Sequence, residues 1–329
     1  MRAIPEQAPG AIELWLNLVI ISGTAGSSFL FIKLIDNSLP VFAFAASRGF
    51  IAMAALLVFL ALRRLLVGRT TQRTAAWANL RHMLVLGTTN GWLANALIAM
   101  AVRHVDTAVV AMIQAAVPLF VAIMAHFLFY EERFRSDQLI GILTGLGGIV
   151  LIIGPLALLG SHGSLIGVAA MLLTALLYAC GLVYARGVAP ENPVALACGQ
   201  QACGAVIAGV ISFVFEPAAA FGDAVGVWPY LVVLGVLCSA VPTALLLRLV
   251  RRTPSVSTAM IAYLQPAWAS LLGVLVLLEP IHPRGLFGTA MIVAGVMIAT
   301  RRPKQSAIAA PLRASPANVA ARLAQVSGD

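Results

Sequence analysis

Charge is what this sequence lacks most: 10% of its 329 residues are Asp, Glu, Lys or Arg, against about 25% in an average soluble domain. Acidic residues are scarcer still, 12 against 21 Lys and Arg. With 61% hydrophobic residues and a mean hydropathy of +0.97, the chain cannot furnish the polar shell that a water-soluble globule needs. The same arithmetic excludes disorder, collagen, a coiled coil and a disulfide scaffold. Cysteine is sparse too. Cys180, Cys198, Cys203 and Cys238 all sit in apolar stretches, and the interval between Cys198 and Cys203 is neither a metal-ligand nor a redox spacing. They read as small apolar fillers, with no metal site. HExxH, GxSxG and phosphate-binding loops are missing as well, so neither an enzyme nor a cofactor is expected. The net charge of +9 comes from basic residues placed between apolar segments rather than along one face. That is a bilayer pattern, and no nucleic-acid partner is expected. The lipid bilayer itself is the expected surrounding.

What is present is a series of long apolar runs. A helix needs about 20 apolar residues to cross a bilayer core of roughly 30 Å. Ten spans follow: 14–35, 40–62, 82–102, 107–130, 138–155, 164–185, 193–215, 228–250, 255–278 and 284–300. The long uncharged run 138–185 is divided by its own turn, Gly154-Pro155 followed by Gly160-Ser161-His162-Gly163. The first apolar segment is too long for a cleavable signal peptide. Residues 1–13 read as a cytoplasmic N-terminus and 301–329 as a disordered cytoplasmic tail. Placing the N-terminus inside puts 17 of the 21 Lys and Arg on the cytoplasmic side and only Arg103 and Arg284 outside. Both termini then face the cytoplasm.

The chain also repeats itself. Thr107, Ala111-Met112-Ile113, Pro118 and Glu131 recur as Ser255, Ala259-Met260-Ile261, Pro266 and Glu279 at an offset of 148. Gly87 and Arg103 match Gly235 and Arg251 at that offset, and Lys33, Pro40 and Arg48 match Arg186, Pro193 and Gln201 at 153. Gly141 and Gly148 match Gly288 and Gly295 at 147. Each copy holds five helices, at 14–155 and 164–300. Because five is odd, the second copy enters the membrane from the opposite side. The fold class predicted is an all-α integral membrane protein of ten transmembrane helices in two inverted five-helix repeats. That is an architecture by which transporters alternate access around a midplane site, and an enzyme or receptor has no general need of it.

Four passages resemble the drug/metabolite transporter superfamily in its ten-helix EamA-type permease branch. Gly26-Ser27-Ser28-Phe29 with Lys33 is similar to its opening signature, and Ser47-Arg48 to its arginine position. Pro118 through Glu131 and Arg133, and Gly141 to Gly148, follow its helices 4 and 5; Tyr263-Leu264-Gln265-Pro266 and Glu279-Pro280 repeat the pattern. The resemblance covers roughly residues 14–300. One departure is that Pro280 stands where the first half has Glu132. The resemblance implies export or exchange of small metabolites, often amino acids, at a bacterial inner membrane.

Polar residues near helix midpoints are costly in lipid and should face the bundle interior. Asn90, Trp92, Asn95, Gln114, Tyr178, Ser239, Thr243, Tyr263, Gln265 and Trp268 are therefore the candidate substrate-binding residues, converging on one cavity with the aromatics walling the solute and the amides orienting it. For a single Ser or Thr, interhelical hydrogen bonding without a ligand is the commoner role, worth about 0.6 kcal/mol per contact. Pro118, Pro242 and Pro266 each remove a helix hydrogen bond and are candidate hinges or passive kinks. Arg48 either snorkels outward or turns inward to meet a carboxylate of the protein or of a substrate. The stripe Gly141, Gly145 and Gly148, with Gly288 and Gly295, is packing within the fold or in a homodimer, and Gly87 and Gly91 do the same for the third span.

No Asp or Glu occupies the middle of a span; Glu13, Asp36, Asp106, Glu131 and Glu279 lie near span ends. Proton-driven carriers commonly use buried carboxylates. His126 is a lone titratable group, more often structural. The expectation is an alternating-access exporter or facilitator of small polar or amphipathic metabolites, amino acids foremost. The alternatives are a proton-coupled exporter of hydrophobic drugs and a membrane-embedded enzyme or sensor.

Overall fold

The computed structural model describes residues 10–35, 38–67, 76–104, 110, 113–129, 135–153, 165–188, 192–216, 224–277 and 283–300. Asp36, Asp106, Thr107, Ala111-Met112, Glu131, Glu132, Arg133, Glu279, Pro280, the turn Gly154 to Gly163 and the segments 1–9 and 301–329 lie outside the described residues, as do the side chains of Phe29 and Lys33.

All regular structure among the described residues is helical, as a lipid interior demands, because a helix pairs its backbone groups within the segment. The helices are α1 (Ala11–Gly26), α2 (Ser28–Ile35), α3 (Val41–Val67), α4 (Ala76–Gly87), α5 (Leu93–Val102), α6 (Val117–Leu128) and α7 (Ser136–Ile153). They continue as α8 (Leu165–Val188), α9 (Pro193–Phe215), α10 (Ala224–Gly235), α11 (Val241–Leu249), α12 (Ser255–Ala259), α13 (Ile261–Leu277) and α14 (Pro283–Ala299). Helix falls on every predicted span, and breaks or π turns divide five of them among the described residues.

Among the described residues, six helical runs are long and apolar enough to cross a membrane: Ala11–Ile32, Val41–Leu66, Asn79–Val102, Leu165–Val188, Pro193–Phe215 and Gly226–Leu249. Three further apolar helices, Val117–Leu128, Ser136–Leu151 and Phe287–Ala299, are shorter. The 17 residues of α13 cover about 26 Å at 1.5 Å per residue, a little under the hydrocarbon thickness. Large apolar side chains face outward along the bundle, among them Phe213 at 84% exposure and Phe127 at 80%. A shell of that kind is tolerable only against lipid. The chain is a multi-pass membrane protein.

Two spans pass through a π-helical turn, Thr88–Trp92 between α4 and α5 and Val236–Ala240 between α10 and α11. These turns stand 148 residues apart, the offset of the sequence repeat. A π turn widens the ladder and frees carbonyls, and such turns are frequent at functional sites. Gly91, at φ −109° and ψ −115°, breaks the helical path inside the first turn.

The prolines are placed differently from one another. Pro118 occupies the first turn of α6, where a missing N–H has no helical partner to lose, whereas Pro242 follows directly on the second π turn inside the helical run Gly226–Leu249. Pro266 sits inside α13. The predicted lost hydrogen bond is thereby corrected at Pro118, where a helix start, not an interrupted ladder, accounts for the proline. At Pro242 the carbonyl four residues back, Cys238 O, has no N–H on the ring to accept from and takes its hydrogen bond from Arg48 instead.

Glycine sets the close contacts. A Cβ on Gly295 would lie 2.6 Å from Gly141 O and from Gly145 N, and one on Gly148 would lie 2.5 Å from Gly288 O. The stripe of α7 is thus spent on α14, backbone against backbone. Gly87 meets α9 at Gln200 O and Gly204 N (2.8 and 3.1 Å to a built Cβ), while Gly235 meets α3 at Ile51 and Arg48 O (2.5 and 3.1 Å). α3 and α9 are also joined at their ends. Both carboxylate oxygens of Glu216, just past α9, accept from the N–H groups of Phe42 and Ala43 at 2.8 Å, capping the exposed donors at the start of α3. The start of α9 is capped locally, by Asn192 Oδ1 accepting from Ala195 N at 3.1 Å with Pro193 following.

Candidate functional site

A cavity of about 170 Å³ lies between the helices. Its walls come from α1, α2, α3, both π-turn spans, the start of α6, α8, α9, α12 and α13; α7 and α14 contribute nothing among its described lining. The glycine seam of α7 and α14 therefore stands to one side.

Seven of the ten predicted substrate-binding residues line this space: Asn90, Asn95, Gln114, Tyr178, Ser239, Thr243 and Gln265. They are spread over 175 positions in sequence and five spans. Gln114 Nε2 donates to Gln265 Oε1 at 3.2 Å, joining the α6 segment to α13. The amide of Asn90 packs on the bare backbone of Gly181 in α8.

The other three point elsewhere. Tyr263 is fully buried; its hydroxyl donates to Ile142 O at 2.9 Å and its ring lies on Gly145. Trp268 packs on Gly23 and Gly26 of α1. Trp92 donates from Nε1 to Thr88 Oγ1 at 3.3 Å and stands with its ring 6.4 Å from that of Phe42. Each aromatic fills a groove left by small residues or by a neighbouring ring, so area burial decides its direction. Of the three prolines, Pro242 alone is in the described lining.

Arg48 turns inward. It is 8% exposed and lines the cavity, which settles its sequence ambiguity against snorkelling. Its Nε donates to Ser239 Oγ at 2.6 Å and its Nη2 to Cys238 O at 3.1 Å. The serine hydroxyl in turn donates to Leu234 O, five residues back, at 2.9 Å. The second π turn thus presents a hydroxyl and a carbonyl to the guanidinium. No carboxylate among the described residues pairs with Arg48, and no described acceptor engages Nη1. Burying an ion without a counter-charge costs several kcal/mol even after relaxation, and neutral acceptors offset only part of that.

Sequence reasoning missed Gln200 as a site residue and treated Gln201 only as the counterpart of Arg48. Both line the cavity from α9, 2% and 5% exposed. Gln201 Nε2 donates to Thr243 Oγ1 at 3.3 Å, whereas Gln200 Oε1 and Gln114 Oε1 are buried with no hydrogen-bond partner. An unsatisfied buried acceptor costs about 1–3 kcal/mol. Two adjacent amides inside an apolar span were the available signal. Ser28 and Thr258 complete the polar part of the described wall. Among its described lining residues the cavity carries one formal charge, that of Arg48, and no carboxylate or histidine.

No match is found among the curated proteins. A solved structure, described only as a crystal structure of a protein, superposes with a TM-score of 0.68 at 21% identity, covering 86% of this chain and 98% of that one. At that identity the likeness is one of fold. The EamA-like transporter family matches twice, over residues 13–154 and again over 165–301. Two copies of a transporter module, together spanning most of a membrane-embedded chain, establish that it belongs to the EamA-like transporter family.

Proposed function

We propose that this protein is an alternating-access carrier of ten helices in two inverted repeats, 14–155 and 164–300, with both termini cytoplasmic in a bacterial inner membrane. It moves a small polar or amphipathic metabolite, an amino acid foremost, as an exporter or facilitator. The observation that carries this reading is the cavity lined by Asn90, Asn95, Gln114, Gln200, Gln201 and Gln265, six amides drawn from both halves of the chain.

The repeat geometry is supported by pairs of equivalent contacts. Gly87 rests on Gly204, and Gly235 rests on Ile51. Residues 87 and 235 are 148 apart, and 51 and 204 are 153 apart, the two offsets of the sequence repeat. The same exchange relates the two π turns. Rocking one such half against the other opens a shared site to each side in turn.

The cavity also bears on substrate size. A dry cavity of about 150 Å³ takes a benzene-sized molecule, so 170 Å³ suits a small metabolite better than a bulky drug. Export of hydrophobic cations favours a buried acid, and the described lining holds none. The embedded-enzyme reading has no nucleophile and base pair in the described lining to support it.

The test is exchange in proteoliposomes. Asn90→Ala and Gln265→Ala are expected to slow flux of small amino acids while the purified protein stays monodisperse; unchanged flux removes them from the site. A proton ionophore is expected to leave flux down a substrate gradient unaltered, and abolition of that flux would replace facilitation with proton coupling.

A further inference from the structure

We infer, resting on the carrier reading, that Arg48 is the carboxylate anchor of the cavity, and that Gln114 and Gln200 receive N–H donors from the same solute. The substrate class is then a small molecule bearing a carboxylate on one edge and an amino group on another.

The inference starts from what is left over. Arg48 is buried, held by the Ser239 hydroxyl and the Cys238 carbonyl on one side, with Nη1 turned to no described acceptor. Those two bonds are to neutral atoms, so they fix the plane of the guanidinium without neutralising it. A carboxylate matches the fork of a guanidinium in shape and charge. An amine entering the same space meets a fixed positive charge, and a hydrocarbon leaves that charge as it was.

The acceptors point the other way. Gln114 and Gln200 line the cavity, and the Oε1 of each is buried without a partner, so a donor in the cavity reaches it once the amide turns. Each oxygen is an acceptor only, so the complementary group is a donor, N–H or O–H. An ammonium supplies three donors, which neutral amide oxygens can accept while the solute's own carboxylate balances its charge. With one fixed cation and orphan acceptors, the described wall is complementary to a zwitterion or a monoanion and opposed to a cation. Gln201, the counterpart of Arg48 in the second half, is uncharged and occupied with Thr243, so the carboxylate has a single anchor.

The experiment compares matched solutes on the wild-type protein in proteoliposomes. Leucine, phenylalanine and serine are each offered beside their decarboxylated amine, their carboxamide and their deaminated acid. Counterflow is read with thermal stabilisation of the purified protein. Amino acids, and more weakly the deaminated acids, are expected to exchange and stabilise on the order of tenfold or more better than amines and carboxamides. Amines or carboxamides exchanging as well as the acids would overturn the anchor and leave the carrier standing. Exchange of no solute at all by folded protein would overturn the carrier reading as well. Arg48→Gln is expected to bring the ratio of acid to carboxamide close to one. Arg48→Lys, which keeps the charge and loses the fork, is expected to fall between; a ratio unchanged in both folded variants contradicts the inference.

Discussion

Arg48 Nε and Ser239 Oγ lie 2.6 Å apart, joining the first third of α3 to the second π turn by a charge-assisted hydrogen bond with both partners buried. Ser239 is held in turn by Leu234 O. Ser239→Ala strands both groups and is expected to lower stability by about 1–3 kcal/mol and to weaken apparent solute affinity, because the guanidinium loses its orientation. Ser239→Thr keeps the hydroxyl and should restore most of both. Thermal melts and initial exchange rates check this; a Ser239→Ala protein indistinguishable from wild type contradicts it.

The α7–α14 seam predicts a steric effect at Gly295. A methyl there would sit 2.6 Å from Gly141 O and Gly145 N, atoms of a backbone that has no rotamer to yield. Gly295→Ala is expected to destabilise by roughly 1–3 kcal/mol. Gly226→Ala on α10 meets nothing within 4 Å and is expected to be neutral or slightly stabilising. Melting temperatures of the two variants, measured side by side, give the comparison.

Gly181 sets the position of Asn90. A Cβ on Gly181 would occupy the place of the Asn90 amide, so Gly181→Ala is expected to displace that amide and slow exchange several-fold. In an Asn90→Ala background the same substitution should add little, since the displaced group is already gone. Exchange rates of the two single variants and the double variant decide it; additive losses would show that Gly181 acts by another route.

Tyr263 separates packing from recognition. Its hydroxyl satisfies Ile142 O inside the α7–α13 contact. Tyr263→Phe is expected to cost about 1 kcal/mol of stability and to leave the order of preference among solutes unchanged. A changed preference order in the counterflow panel would return this residue to the site.

The spans were legible in the sequence because bilayer thickness imposes a length and lipid imposes an apolar composition, as Pro193–Phe215 and Leu165–Val188 illustrate. Asn90 and Gln114 were legible because an amide in lipid is costly wherever it does not face the interior. Tyr263, Trp268 and Trp92 were not, since an aromatic side chain is content against any complementary groove. Those grooves, Gly145 for Tyr263 and Gly23 with Gly26 for Trp268, are far away in the chain and exist only after folding. Arg48 stood between two readings because hydropathy fixes depth and says nothing of azimuth around the helix axis. Its direction is decided by the acceptors of the second π turn, 190 and 191 positions away, and a π turn has no sequence signature comparable to proline's.

The most direct test of the carrier account is whether one cavity position is reachable from both sides of the membrane. With Cys180, Cys198, Cys203 and Cys238 replaced, Thr243→Cys in sealed proteoliposomes of defined orientation is treated with a membrane-impermeant thiol reagent from outside or from within. The account predicts labelling from either face, each slowed by saturating solute. Labelling from one face only, whatever the solute, or from neither in folded protein, would contradict it.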